Sequence, residues 1–258
     1  MGYFPRSYQV IVQPWLDAGW LKSGHRFMEF GAQEFYSEVE ETRREVGGFL
    51  QGRGLPADVV EGVLGNGLPQ VRAIYEALGI DYTSIDVDGA QGSIYFDLNT
   101  FATPPEWHGA FDFISNEGTI EHLVNPINAF HVAHEMAKVG GVVRHSFPLI
   151  GWRDHGFINP TTKFYAHLVG DNGYELLQAI AGVTGRTPFD DPFFKTIDQD
   201  RNPVPPPEVT DMWAELIYRK TTDEPFVIPV DHLTGPNAAA DRLRLIDNYR
   251  RTLTSRIS

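Results

Sequence analysis

The chain reads as an α/β protein: a doubly wound, mostly parallel seven-stranded sheet with a helical insertion after the first strand. Three observations predict this. Short apolar runs alternate with helix-periodic stretches along most of the sequence, the pattern of strands joined by crossover helices. Four of the runs stop abruptly in polar residues, at Glu29-x-Gly31, Asp86, Asp97 and Asn116, as parallel strands do where they open into a ligand crevice. The length of 258 residues, with 42% hydrophobic and 21% charged content, suffices for one well-buried domain spanning 1–258.

Taken in order, the first 24 residues form an N-terminal helical segment. Tyr8, Ile11, Val12, Trp15, Leu16 and Trp20 recur at three- and four-residue intervals, predicting an amphipathic helix over 8–21 that bends near Pro14. Residues 26–31 are an apolar run ending in an acid and a glycine, the first strand. Residues 36–80 are too many for a simple strand–helix–strand link and are expected to be a helical insertion at the sheet's edge. Within it, a charged helix from Glu38 to Glu45 should stop at Gly47-Gly48, followed by helices over 56–64 and 68–78.

Residues 82–89, 93–99 and 111–116 are the second, third and fourth strands. Asn125-Pro126 pairs a cap residue with a first-turn proline, opening a helix that buries Ile127, Phe130, Ala133 and Ala137 and ends at Gly140-Gly141. The fifth strand is 142–148. A helix over 161–168 follows, and 174–183 and 212–220 are the last two strands, an antiparallel pair at one edge. Between them 187–207, dense in Pro and Asp, is a long loop. A C-terminal helix occupies 236–258, its periodic part over 236–254 carrying Leu243, Ile246 and Tyr249.

Composition excludes several function classes. With 21 Lys+Arg against 34 Asp+Glu, the formal charge of -13 and the lack of any basic run argue against nucleic-acid binding. The chain has no cysteine, which removes disulfides, thiolate metal sites and cysteine nucleophiles together. Residues 1–6 lack a secretory pattern, Arg6 stands where a myristoylation signal has Ser or Thr, and no window approaches the ~18 apolar residues that span a bilayer. A cytoplasmic enzyme with a small-molecule partner and no membrane partner is expected.

Carboxylates at the ends of adjacent parallel strands point into one crevice. Being acceptor-only, they suit a ligand rich in donors, such as ribose hydroxyls or an exocyclic amine, and suit a bare phosphate badly. An isolated Asp97 serves equally well as a turn former.

These residues resemble the class I S-adenosylmethionine-dependent methyltransferases. Met28-Glu29-Phe30-Gly31-Ala32 is similar to that family's acid-x-Gly turn after the first strand, Ser84-Ile85-Asp86 to its ribose-binding acid, and Phe96-Asp97-Leu98 to its adenine-contacting segment. Residues 111–116 with Glu121-His122-Leu123 resemble its fourth strand and the opening of the next helix, and 137–142 its turn before strand five. The likeness covers roughly 25–185, with strands to about 220 completing the sheet. It implies S-adenosylmethionine as cofactor, with Glu29 and Gly31 near the methionine moiety, Asp86 on the ribose, Asp97 and Leu98 around the adenine, and Asn116 on the pocket floor.

The sequence departs from that family in two ways. A single Gly31 stands where two or three glycines are usual, so that Gln33 either replaces a backbone contact by its side-chain amide or marks a wider turn. The gap from Gly31 to Asp86 also far exceeds the ~20 residues usual between such a turn and its ribose acid.

After strand five, 151–160 should overhang the crevice. Histidine is the natural base near neutral pH, so His155, next to Asp154, is the expected catalytic base; a loop residue bonded to backbone is the alternative. Trp152 and Phe157 are placed to stack on a ring. Asp154-His155-Gly156-Phe157 resembles loops of sugar- and natural-product-tailoring methyltransferases, which implies methyl transfer to O or N of a small, sugar-like acceptor. A nicotinamide-dependent oxidoreductase and a catalytically degenerate S-adenosylmethionine-binding protein remain alternatives. His131-x-x-His134-Glu135 is not the His-Glu-x-x-His pattern, Glu121-His122 reads as the opening of a helix, and no metal-ligand set is expected.

Overall fold

The structure is a computed structural model; it describes residues 2–152, 155–183, 211–231 and 236–254, without the side chains of 150, 250 and 252–254. The expected loop over 187–207 and residue Asp154 lie outside the described residues. Seven strands form one sheet: β1 Arg26–Phe30, β2 Asp81–Asp86, β3 Ile94–Tyr95, β4 Phe111–Glu117, β5 Ala137–Ile150, β6 Glu175–Val183 and β7 Met212–Arg219. Their spatial order is β3-β2-β1-β4-β5-β7-β6. Pairs from β3 across to β5 are parallel, while β7 runs antiparallel to both β5 and β6. The last two strands are thus antiparallel to each other, with β7 inserted between β5 and the edge strand β6.

Side chains alternate across a strand, so each strand feeds two cores. Met28, Phe30, Ile114, Val143 and Phe147 meet Phe130, Ala133 and Tyr165 from α5 Pro126–Met136 and α6 Thr162–Asp171. On the other face, Phe27 and Phe113 meet Tyr3, Tyr8, Val12 and Trp15, together with Val46 and Leu50 of α2 Val39–Gly52, Val60 of α3 Ala57–Leu64 and Ile74 of α4 Val71–Ala77. Three helices therefore stand between β1 and β2, and they cover a face of the sheet rather than its edge. The N-terminal helical segment opens with a π-helical turn, Tyr8–Val12, and continues into α1 Gln13–Asp17, whose second residue is Pro14.

Several local expectations give way to packing. Helix α2 runs through Gly47-Gly48 because Gly47 faces α3, where an added Cβ would stand 3.2 Å from Leu64 Cδ1. Asn125 does not cap α5 with its side chain; its amide donates to the Asn99 carbonyl oxygen at 2.9 Å. That helix ends at Met136, before Gly140-Gly141, and Lys220 from the end of β7 donates to the His134 and Ala137 carbonyl oxygens at 2.9 and 3.1 Å. Residues 137–141 open β5 as an irregularity: Phe111 pairs with Ala137 but Phe113 with Val142, and Gly140 has φ +88. Strand β3 is only two residues long, and Phe96 and Leu98 beyond it turn into the core. The last helix, α7 Ala238–Thr254, buries Ile246 but leaves Leu243 exposed. Among the described residues, no helix is long and apolar enough to cross a membrane.

Candidate cofactor and acceptor site

The carboxyl ends of β1, β2 and β4 are stitched together by the turns that follow them. Gly31, at φ +81, donates its N–H to the Ile85 carbonyl at 2.9 Å. A Cβ there would fall 2.2 Å from Thr119 Oγ1, which itself donates to the Phe30 carbonyl at 2.7 Å. The position demands glycine twice over, by backbone conformation and by space. Asp86 closes the turn from the β2 side: Oδ2 accepts from Ala32 N at 2.8 Å and Oδ1 from Val87 N at 2.7 Å. Gln33 is buried, its amide nitrogen directed at the Glu117 and Gly31 carbonyls at 3.3 and 3.4 Å, while its Oε1 has no hydrogen-bond partner. Gly31, Gln33, Asp86 and Asn116 are thereby brought together at the carboxyl ends of β1, β2 and β4.

Asn116, fully buried, accepts from Thr119 N and Ile120 N, both at 3.0 Å, through Oδ1; its Nδ2 has no partner. Asp97 holds the turn after β3: Oδ1 accepts from Asn99 N at 2.9 Å and Oδ2 from Thr100 Oγ1 at 2.8 Å. Its carboxyl lies below the usual range, these hydrogen bonds outweighing the burial that pushes it up. Leu98 beside it is buried in the core. A recess of about 550 Å³ flanks this turn, between Tyr95, Phe101 and Trp107.

Glu29 stands apart from these. It is fully buried on the opposite face, accepting from Tyr3 at 3.0 Å and from Tyr82. Burial pushes its carboxyl up to about 8, against the hydrogen bonds from Tyr82 and Tyr3. On the same face Arg144 is buried between Glu117 and Glu215, donating to Glu215 Oε2 at 2.6 Å, with its guanidinium 4.8 Å over the Trp15 ring. Sequence reasoning did not single out this array, because its members lie on three separate strands.

The other side of the crevice is built by the turn after β4 and the loop after β5. Residues Ile120–His122 form a short 3-10 turn separate from α5, so Glu121-His122 is not the opening of that helix. The Glu121 carbonyl accepts from Phe157 N at 2.8 Å and Ile158 N at 3.1 Å, and a Cβ on Gly156 would stand 2.7 Å from that same oxygen. The close approach sets the half-buried His155 ring against Glu121, with Nε2 3.8 Å from Oε1, and 5.0 Å from the His122 ring centroid-to-centroid. Trp152 anchors the loop, its indole N–H donating to the Met212 carbonyl at 2.8 Å. Burial pushes Glu121 up to about 7 and draws His155 and His122 below the usual imidazole range. His131 and His134 lie elsewhere: both ring nitrogens of His134 are engaged, by Tyr174 and the Glu224 carbonyl, and His131 faces Glu135.

No family model and no curated protein matches the chain. Among solved structures it is similar to a candidate sarcosine dimethylglycine methyltransferase from Galdieria sulphuraria, at TM-score 0.50 and 11% identity over 84% of this chain and 86% of that one. The fold is that of the class I methyltransferases. Weaker likenesses are to a SAM-dependent methyltransferase from Aquifex aeolicus (TM-score 0.40, 12% identity, 84% of this chain and 93% of that one) and a geranyl diphosphate C-methyltransferase from Streptomyces coelicolor A3(2) (0.45, 11%, 83% and 80%). Within this methyltransferase fold, Thr119, Glu121 and His122 are the crevice residues that sequence reasoning left without a role there. The adjacent acid and histidine of the Glu121-His122 pair were the available signal.

Proposed function

We propose that the chain is an S-adenosylmethionine-dependent methyltransferase acting on O or N of a small, sugar-like acceptor. The observation that carries this reading is the strand order with β7 antiparallel between β5 and β6, combined with a glycine-only turn at the end of β1. A nicotinamide Rossmann sheet has the order 3-2-1-4-5-6, without such an inserted strand.

The residues present fit the cofactor. Asp86 and Asp97 offer acceptor-only oxygens to a donor-rich nucleoside, and the buried, unpartnered Asn116 Nδ2 and Gln33 Oε1 are polar atoms in want of a ligand. Gly31 keeps the β1 turn free of a side chain. An acidic chain, at a formal charge of -13, favours a cationic cofactor. Bound there, S-adenosylmethionine supplies an electrophilic methyl group, and alignment of the acceptor against it does most of the catalysis. His155, half-buried beside Glu121 and drawn below the usual imidazole range by burial, takes the proton from an acceptor hydroxyl or amine in this reading. Phe157, 74% exposed, offers a stacking surface for a sugar-like ring.

Calorimetric titration with S-adenosylmethionine, its demethylated product and NAD in separate cells tests the reading. Both sulfur ligands should bind and NAD should not; binding of NAD alone would overturn it. Binding without turnover across a panel of hydroxyl and amine acceptors would make the chain a degenerate cofactor-binding protein instead.

A further inference from the structure

Glu121 poses a problem that methyl transfer does not require. Its side chain is buried, at 1% exposure, and neither carboxylate oxygen has a hydrogen-bond partner. A buried carboxylate in that state is costly to keep unless something pairs with it. His155 does not: at 3.8 Å its Nε2 is beyond hydrogen-bond reach and is itself unpartnered.

We propose that Glu121, His122 and His155 form a binding site for one divalent transition-metal cation, with zinc(II) as its simplest occupant. One ligand atom from each residue lies within 4.8 Å of the others. Two donors that share a zinc ion at bonds of ~2.1 Å stand about 3–4 Å apart, so the 3.8 Å between Glu121 and His155 already suits a shared ion. The donor set is two imidazoles and one carboxylate, the composition of catalytic zinc sites that keep a position open. It is poor in the oxygens that calcium or magnesium takes, and the chain has no cysteine to form a closed thiolate site.

The site is built rather than assembled by chance from a surface loop. The Phe157 and Ile158 N–H groups clamp the loop onto the Glu121 carbonyl, and Gly156 permits the approach. Trp152 is held at its other end by Met212. His155 thus reaches the Glu121-His122 pair from a different segment, the loop after β5. His122 is exposed, which leaves the cluster open toward solvent and an incoming acceptor.

The inference goes beyond the methyltransferase reading and changes one part of it. With a cation bound, His155 would be a ligand rather than the base. An acceptor hydroxyl on the open position would lose its proton to solvent water more readily, because the cation stabilises the oxyanion that then takes the methyl group.

The test is titration of the chelator-treated chain with zinc chloride by calorimetry and with cobalt(II) by visible absorption. One equivalent should bind, and cobalt(II) should develop visible bands. Glu121→Gln and His155→Ala should each weaken zinc at least 10–100-fold, a loss that removal of even an outer-shell partner commonly causes. His131→Ala, at a histidine outside the cluster, should leave binding unchanged. Circular dichroism of each variant checks the fold, and the exposed His122→Ala serves if Glu121→Gln does not fold. Absence of stoichiometric binding, or binding that survives in all the cluster variants, would overturn the proposal. Zinc binding without S-adenosylmethionine binding would overturn the methyltransferase reading alone; the converse would overturn this one alone.

Discussion

Along the β1–β3 side of the crevice the acids are already at work within the protein, whereas along the β4–β5 side the polar groups wait. Both oxygens of Asp86 accept backbone N–H groups, and both oxygens of Asp97 are engaged by its own turn. Across the crevice Asn116 Nδ2, both oxygens of Glu121 and His155 Nε2 have no partner. A wall whose carboxylates are engaged in this way is held before any ligand arrives, even though Gln33 Oε1 beside them has no partner. A wall of buried, open valences is costly in isolation and gains from what binds it. The first arrangement suits a cofactor held the same way in every cycle. The second, at Glu121 and His155, suits groups that exchange, such as an acceptor or a cation, while Asn116 Nδ2 is left for the cofactor.

The largest expected effect comes from breaking the closed wall at its tightest point. Gly31→Ala forces a Cβ into left-handed backbone and onto Thr119 Oγ1. Left-handed strain of ~1–2 kcal/mol and loss of the Thr119–Phe30 hydrogen bond, worth ~1 kcal/mol, should together destabilise the chain by about 3 kcal/mol in urea unfolding. Adding Thr119→Ala should relieve the clash and leave the conformational part. A Gly31→Ala cost below ~0.5 kcal/mol, the level of an ordinary surface substitution, would show that the turn is not rigid.

Opening moves on the other wall run in the opposite direction. The Glu121 carboxyl is raised in the fold from 4.5 to about 7, so between those values the native state holds a proton that the unfolded chain has lost. The contribution of Glu121 to stability therefore falls as pH rises through that window; at ~1.4 kcal/mol per unit, its full penalty above pH 7 is about 3 kcal/mol or less. Glu29 acts in the same sense over a window reaching about 8. In metal-free buffer Glu121→Gln should flatten the slope between pH 5 and 7 while leaving the part due to Glu29. Urea midpoints across that range measure it as the difference between the two chains. That difference separates Glu121 from His122, His134, His145 and His155, whose lowered values act in the opposite sense. Identical slopes in wild type and Glu121→Gln would contradict the burial of this acid.

What the sequence makes legible follows from the same contrast. Strand ends closed by local turns announce themselves, since an apolar run stopping at Asp86, Asp97 or Asn116 is a pattern in consecutive residues. The fold class, a mostly parallel sheet with an antiparallel edge, needed only that pattern and the alternation of helices; the order of the strands came from the structure. The open wall is different. Glu121-His122 acquires meaning when Gly156 lets a distant loop lie against it, and no periodicity in either segment records that approach. The Glu117–Arg144–Glu215 array is hidden for the same reason, each member reading as an isolated polar residue in an apolar strand. Gly47-Gly48 misleads in the other direction: a helix-stopping pair by propensity is kept helical by its contact with α3.

A smaller effect is expected at Asp86. Asp86→Ala leaves the Ala32 and Val87 N–H groups without their acceptor, but these sit near solvent, so the cost should be about 1–2 kcal/mol with the fold retained. S-adenosylmethionine affinity should fall with it, by roughly tenfold for each lost hydrogen bond of ~1.4 kcal/mol. Unchanged affinity by calorimetry would place the ribose on another strand.

The smallest effect on stability, and the sharpest on function, belongs to His155. Its ring accepts and donates nothing at Nε2 and is half-buried, so His155→Ala should change the urea midpoint by no more than ~0.5 kcal/mol, the range of an ordinary surface substitution. Cofactor affinity should stay near normal, because the β1–β3 wall is untouched. Turnover on a hydroxyl or amine acceptor should nevertheless fall ~10²-fold or more, the contribution of a positioned base. A residue that costs nothing to remove from the fold yet stops the reaction is what an open wall predicts. Full activity in this variant would mean that the unpartnered groups are a packing remnant, and the contrast between the two walls would lose its functional meaning.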